Sequence, residues 1–398
     1  MTKRDDKRVP ALRFKGFTDE WEQRKLGDLT QKIKSYPISH DAEINTITGT
    51  KYIHYGDIHT GKLKRITNEK ILPNINDNNY IPLKSGDVIV ADASEDYKGI
   101  ADACVIDLMK EHYKIVSGLH TIVFRPNERL KSDFLYTYFH TPIFKHYGYR
   151  VGTGLKVFGI TYNNLSNMEI KLPKIDEQNK VYKIINIVTN IITLQQRKVT
   201  LFKQLKGSLL DSLISGKDTP LVRFNEFKSK WTLFTLKDIV TKTIKGSAKA
   251  EMHGKESIYL DTHYLNGGNP SMVNSPTNVS SNDIIILWDG SQAGKVYHGF
   301  TGALGSTLKS YTPKYSSDYL FQYLKKYQNK IFANYRTPNI PHVIKDFATV
   351  FKVNLPSTKE QIIISSLLKT LDVQITTENT SVNHLKNIKQ FLLQNMFI

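Results

Sequence analysis

The chain has 398 residues, of which 40 % are hydrophobic and 11 % aromatic, enough to build packed cores and to exclude a disordered chain. Lys and Arg total 55 against 37 Asp and Glu, a formal net charge of +18. That surplus favours a polyanionic partner, because cations that neutralise phosphates release condensed counterions; an anionic membrane or plain basicity are the other readings of the same number.

The opening residues, MTKRDDKRVP, carry no apolar stretch to serve as a signal peptide, and the longest aliphatic runs, such as Ile284–Leu287, are too short to span a bilayer. The single cysteine, Cys104, excludes an internal disulfide framework and multi-cysteine zinc sites, and it fits a reducing compartment. The expected location is the cytoplasm.

An internal repeat begins at once. VPALRFKGFTDEWEQRKLGDL returns as TPLVRFNEFKSKWTLFTLKDI, so that Pro10, Arg13, Phe14, Phe17, Trp21, Leu26 and Asp28 fall on Pro220, Arg223, Phe224, Phe227, Trp231, Leu236 and Asp238. Further on, SGDVIVADAS (85–94) matches SNDIIILWDGS (281–291), SDFLYTYF (132–139) matches SDYLFQYL (317–324), and Tyr149-Arg150 matches Tyr335-Arg336. Leu172-Pro173 and Glu177-Gln178 match Leu355-Pro356 and Glu360-Gln361. Between these landmarks, short β-branched runs broken by Gly, Asn, Asp and Pro predict strands and turns. The SDFLYTYF and SDYLFQYL segments predict short amphipathic helices with Ser or Asp near the start. Trp21, Trp231, Phe14 and Phe224, on the shared frame, are expected in the cores.

After each Leu-Pro the period becomes helical. Val181, Ile185, Val188, Ile192, Val199, Phe202, Leu209 and Leu213 recur in steps of four and three, with Gln195 and Lys206 at the missing beats. The second copy runs Ile364, Leu368, Leu371, Ile375, Val382, Leu385, Leu392 and Met396, broken at the equivalent beats by Glu378 and Lys389. Ser357 and Glu360 have capping-box spacing. Two such helices, each roughly 60 Å long, should pair. If the second runs back along the first they form an antiparallel coiled coil of open register. A spacer between two domains and a dimerisation stalk both fit this pattern.

Catalytic motifs are missing. No Pro-Pro pair is present for the Asn/Asp-Pro-Pro-aromatic motif of an adenine methyltransferase, and Gly152-Thr153-Gly154 stands outside any βαβ context. The run from Gly290 to Gly294-Lys295-Val296 is one residue short of a P-loop and lacks its hydroxyl. Glu169-Ile-Lys171 and Glu226-Phe-Lys228 hold the Glu-x-Lys tripeptide of metal nucleases, which is common by chance, and the histidines show no paired-ligand spacing.

With the duplicated LRFxxF…W…L motif, a heptad helix after each LP…EQ and no catalytic motif, the chain resembles the specificity (S) subunits of type I restriction–modification systems along its whole length. The resemblance implies an α+β fold: a target-recognition domain over residues 1–172, a central helical spacer over 173–216, a second recognition domain over 217–355 and a C-terminal helical spacer over 356–398. It further implies that each domain reads one half of a split, asymmetric site in double-stranded DNA. The helices would set the unread spacer and dock two modification (M) subunits; two restriction (R) subunits would complete the complex. S-adenosylmethionine, ATP and Mg²⁺ would sit on those partners, leaving this chain non-catalytic and without cofactor. The alternative is an orphan two-headed DNA-binding protein without a methyltransferase partner.

Two domains reading different half-sites should share phosphate contacts and differ where bases are read. Lys98 with Lys295 and Arg150 with Arg336 are therefore expected at phosphates, beside turns shaped by Asp92 and Ser94 or Asp289 and Ser291. The differing loops 152–156 and 337–342 offer Lys156, Asn339 and His342 to base edges. A second variable stretch, 52–64 against 259–269, offers Tyr55 and Lys62. The second loop, YRTPNIPHVI, has two prolines where the first, YRVGTGLKVF, has glycines, so a DNA contact is carried across to it less securely.

Overall fold

The computed structural model describes residues 8–94, 101–154, 158–339 and 341–398. It falls into two compact units, Met1–Leu194 with Val382–Ile398, and Gln195–Ser381. Each is a mixed α+β body that includes a stretch of both long helices, Ile175–Leu213 and Thr358–Asn395.

The repeat extends to sheet topology. In the first unit a central sheet runs Thr30–Ile33, Thr121–Pro126, Val88–Ala91, Ala103–Ile106, Arg65–Ile66; in the second it runs Val240–Lys245, Leu308–Pro313, Ile284–Leu287, Val296–His298. The strands Val88–Ala91 and Ile284–Leu287 are buried along their whole length, which accounts for their unbroken apolar runs. A smaller sheet in each unit contains a parallel pair, Lys114–Ser117 on Thr50–Ile53 and Ala303–Leu304 on Tyr259–Leu260. A two-stranded antiparallel clasp closes each unit: Glu22–Lys25 on Glu169–Leu172, and Thr232–Thr235 on Lys352–Leu355.

Two glycines show how closely the copies correspond. A Cβ on Gly118 would lie 2.8 Å from the Ile53 carbonyl oxygen and 2.9 Å from the Tyr52 ring; one on Gly305 would lie 2.6 Å from the Leu260 carbonyl oxygen and 3.3 Å from the Tyr259 ring. Backbone presses on backbone at both places, so only glycine fits. Gly305→Ala is expected to lower the melting temperature of the full chain by several degrees, a calorimetric measurement; an unchanged Tm would show that the strands part without cost.

The repeated sequence motif builds one device twice. Arg13 Nε and Nη2 donate to the two carboxylate oxygens of Glu177 at 2.6 and 2.8 Å, and Arg223 does the same to Glu360 at 2.8 and 2.8 Å. Gln178 and Gln361 each donate to the carbonyl of the preceding proline, Pro173 and Pro356, at 2.8 and 2.9 Å. Each Glu-Gln pair thus ties the first turn of a long helix to its own domain. This changes the expected capping box: Ser357 Oγ accepts from Glu360 N at 3.4 Å, but the Glu360 carboxylate turns to the guanidinium, a charged and stronger donor than a backbone amide. Likewise no side chain caps Ser132–Tyr138, whose N-cap is Lys131; the Lys131 amide is taken by Gln178 Oε1 at 2.8 Å. Ser316 caps the equivalent helix Ser317–Lys326 as expected.

Trp21 and Trp231 are buried at the centre of their cores, whereas Phe14 and Phe224 pack on the core edges, half-buried. In the second unit the long helices pack with opposite direction, since Lys198 pairs with Glu378, and Lys206 Nζ lies 2.6 Å from Asp372 Oδ1. Glu378 therefore meets Lys198, not Gln195, its counterpart in the repeat, and the register left open by the sequence is fixed by these pairs. In the first unit Val181 and Ile185 share a core with Leu393, Met396 and Phe397. Among the described residues no helix is long and apolar enough to cross a membrane.

Candidate nucleic-acid interface

In the first unit the fully buried strand Val88–Ala91 delivers Asp92 to its end. The next residues, Ala93–Ser94, pair antiparallel with Phe158–Gly159, Gly159 bridges Thr153, and Ile160 N donates to the Asp92 carbonyl at 2.8 Å. The residues flanking segments 95–100 and 155–157 therefore meet at one edge. Lys98 and Lys156 themselves lie outside the described residues.

Beside this edge stands a row of rings. His54 accepts a hydrogen bond from Gly56 N at 3.1 Å and so opens the short helix Tyr55–His59. Ring centroids step from His40 to His54 at 3.7 Å, His54 to Tyr55 at 4.6 Å and Tyr55 to His120 at 5.3 Å. His120 Nδ1 lies 3.1 Å from Asp92 Oδ1. Burial raises the pKa of the Asp92 carboxyl, and His120 opposes that rise. Burial, then the neighbouring His40, lowers that of His54. Tyr55 thus joins the variable stretch to the shared Asp92. Lys62 Nζ is 2.9 Å from the buried Asp57 carboxylate, and Arg150, exposed in the last turn of Pro142–Val151, lies with its guanidinium 5.5 Å from the Tyr147 ring.

The second unit repeats the edge with different side chains. Asp289, after strand Ile284–Leu287, forms an antiparallel bridge with His342, and Arg336 forms one with Val343. Val343 N donates to the Trp288 carbonyl at 2.9 Å and Gly290 N to that of Pro341 at 3.0 Å. Arg336 Nε donates to the Phe332 carbonyl at 2.7 Å and Nη1 to that of Ser291 at 3.2 Å. Its guanidinium is thereby held in place with donors left over. Thr337 Oγ1 lies 3.0 Å from His342 Nδ1, and Asn339 is exposed. Lys295 Nζ donates to Asn266 Oδ1 at 2.6 Å and lies 5.4 Å from the Tyr297 ring, which brings the variable stretch 259–269 to the same edge.

The two edges correspond in their backbone. Asp92 N donates to the His120 carbonyl at 3.0 Å and Asp289 N to that of Thr307 at 3.3 Å, positions that follow Gly118 and Gly305 by two. Asp261 takes the place of His54, opening the short helix Thr262–Leu265 by accepting from Tyr264 N at 2.8 Å. Sequence reasoning marked the stretches that hold His54 and Asn266 without naming those residues, and missed His120 and the two glycines. The signal for the glycines was present in Tyr52-Ile53 and Tyr259-Leu260, whose parallel partners they follow. Among the described residues no group of three or more His, Cys, Asp or Glu is arranged to hold a metal ion.

Comparison with known proteins fits this duplicated plan. The family model described as the type I restriction modification DNA specificity domain matches twice, over residues 18–201 and 228–387. The type I restriction enzyme MjaVIII specificity subunit of Methanocaldococcus jannaschii is 33 % identical over 178 residues, which span 42 % of this chain and 42 % of that protein. The crystal structure of the type I restriction–modification S subunit from M. genitalium shares the fold, with a TM-score of 0.67 at 14 % identity over 98 % of this chain and 99 % of that one. A chain from a structure of complex assembly and conformational transition in the type I R-M system gives a TM-score of 0.55 at 17 % identity, covering 95 % and 97 %. The chain therefore belongs to the family of type I restriction modification DNA specificity domains, with one copy of the domain in each half.

Proposed function

We propose that this chain is the DNA-recognition subunit of a type I restriction–modification complex. It binds a bipartite, asymmetric site and directs adenine methylation or restriction by partner subunits, without chemistry of its own. The observation that carries the reading is the pair of equivalent edges, Asp92–Ser94 and Asp289–Ser291: the same backbone frame, furnished with different side chains, is what two heads reading different half-sites require.

In this reading Lys98, Arg150, Lys295 and Arg336 meet phosphates, and Tyr55, Lys62, Lys156, Asn339 and His342 face the bases or their immediate backbone. The long helices set the spacer and receive two modification subunits, and two restriction subunits join the full complex. S-adenosylmethionine, ATP and Mg²⁺ belong to those partners, and the complex works in the cytoplasm. The test is co-expression with the candidate modification subunit in a methylation-free host, followed by sequencing of native DNA for modified adenine. One split motif, methylated only with both chains present, is the expected result. A folded, DNA-bound complex that methylates nothing would leave an orphan DNA-binding protein.

Arg336→Ala gives a finer check. Loss of one phosphate contact should weaken duplex binding alike for all sequences and reduce the slope of log affinity against log salt by about 1. A changed preference among bases with an unchanged slope would move Arg336 to the base-reading set.

A further inference from the structure

The internal repeat supplies its own control for a cavity in the first unit. In the second unit Lys206, a cation on the apolar seam, is neutralised by the chain itself. Its Nζ lies 2.6 Å from Asp372 Oδ1, and Gln322 Nε2 donates to Asp372 Oδ2 at 2.9 Å. Lys389 stands at the same beat of the C-terminal helix. The residues that correspond to Asp372 and Gln322 are Thr189 and Thr137, and both hydroxyls donate to carbonyls of their own helices, Ile185 at 2.8 Å and Asp133 at 2.7 Å. The carboxylate is missing from this copy. Among the described residues no hydrogen bond or ion pair reaches Lys389 or its neighbour Lys386.

A cavity of about 280 Å³ opens at this place, lined by His140, Lys145, Lys386, Lys389, Gln390 and Leu393. Its charge is positive. Lys145 is already paired with Asp102 at 2.6 Å, and His59 Nδ1 lies 3.4 Å from the other Asp102 oxygen, so that carboxylate is spoken for. Burial pushes the His140 imidazole down to about 4, leaving it neutral near pH 7 with Nδ1 donating to the Tyr136 carbonyl at 2.8 Å. Burial, then the nearby Lys64, lowers the pKa of Lys389, as expected of an ammonium without a counter-ion. On the same helix Ile388 and Phe391 are 47 % and 55 % exposed.

We propose that this cavity receives an aspartate or glutamate side chain of the modification subunit, whose adjoining apolar residues cover Ile388 and Phe391. Two observations favour a polypeptide carboxylate over a nucleic-acid phosphate. The equivalent place in the second unit is filled by a carboxylate, and exposed isoleucine and phenylalanine beside the cations suit a protein surface, not a sugar–phosphate backbone. The inference rests on the function proposed above and adds a specific point of attachment to one of the two copies.

The test uses the full chain and the co-expressed modification subunit. Thr189→Asp supplies internally the carboxylate that Asp372 supplies in the second unit. This variant should melt a few degrees higher, bind duplex DNA unchanged, and lose roughly tenfold or more in affinity for the modification subunit by calorimetric titration. Lys389→Glu should lose affinity similarly by repelling the incoming acid, and guards against failure of the first variant to fold. Unchanged affinity in folded Lys389→Glu overturns the proposal. So does weakened duplex binding with unchanged subunit affinity, which would make the cavity a phosphate site. If the wild-type chain binds no modification subunit, the functional reading itself fails and the proposal with it.

Discussion

Replacing Arg223 by alanine is expected to destabilise the second unit by about 3–5 kcal/mol, the largest single-residue effect anticipated outside the apolar cores. Glu360 is fully buried. Its carboxylate is held by two donors of Arg223 at 2.8 Å each and by Trp231 Nε1 at 3.3 Å. Removal of the guanidinium leaves a buried charge with a single weak donor, so most of the loss is the uncompensated desolvation of Glu360 and not the worth of the pair. The same reasoning predicts that Glu360→Gln, which removes the charge, costs less, and that the double replacement Arg223→Met with Glu360→Met recovers much of the loss. Denaturant unfolding of the four proteins distinguishes the cases. A loss below about 1 kcal/mol for Arg223→Ala would place the pair among solvent-screened surface bridges. Arg13 and Glu177 should behave alike in the first unit, where the carboxylate is equally enclosed.

That clamp marks where the sequence was legible and where it was not. The repeat made Arg13 and Arg223 equivalent, and likewise Glu177 and Glu360, because both members of each pair sit in fixed motifs. It did not show that they touch, since a contact between residues 164 positions apart is set by chain closure and not by local pattern. The heptad seam was readable because burial of one helix face imposes a period; the register was not, because apolar side chains match at every heptad and only the polar breaks discriminate. Lys206 finding Asp372, off the seam, is what no seam pattern announces. The interior strands Val88–Ala91 and Ile284–Leu287 were visible as apolar runs, and the assembly of Tyr55 with Asp92 through His120 was not, because ring contacts between loops leave no periodic trace.

Exchange of residues 1–172 for the same part of another family member should change one half-site completely and leave the other untouched, read as the methylated motif in native DNA. The clasp of Glu22–Lys25 with Glu169–Leu172 lies wholly within the exchanged segment, so its pairing travels with it. One part of the first core does not. Phe397 meets Trp21 edge-on at 6.5 Å and packs on Phe134 at 5.3 Å, and Met396 is buried with them, so the residues just past the end of the C-terminal helix complete the first domain. A chimera that carries residues 1–172 alone sets a foreign core against Phe397. The mismatch is a repacking cost of about 1–3 kcal/mol. The expected order is therefore a chimera with the new half-site but a lowered melting temperature, and recovery of that temperature when residues 382–398 are exchanged as well, with no further change in sequence preference. A change in both half-sites would refute the division of reading between the units. A change in preference that required the C-terminal exchange would mean that this helix end reads DNA instead of closing a core.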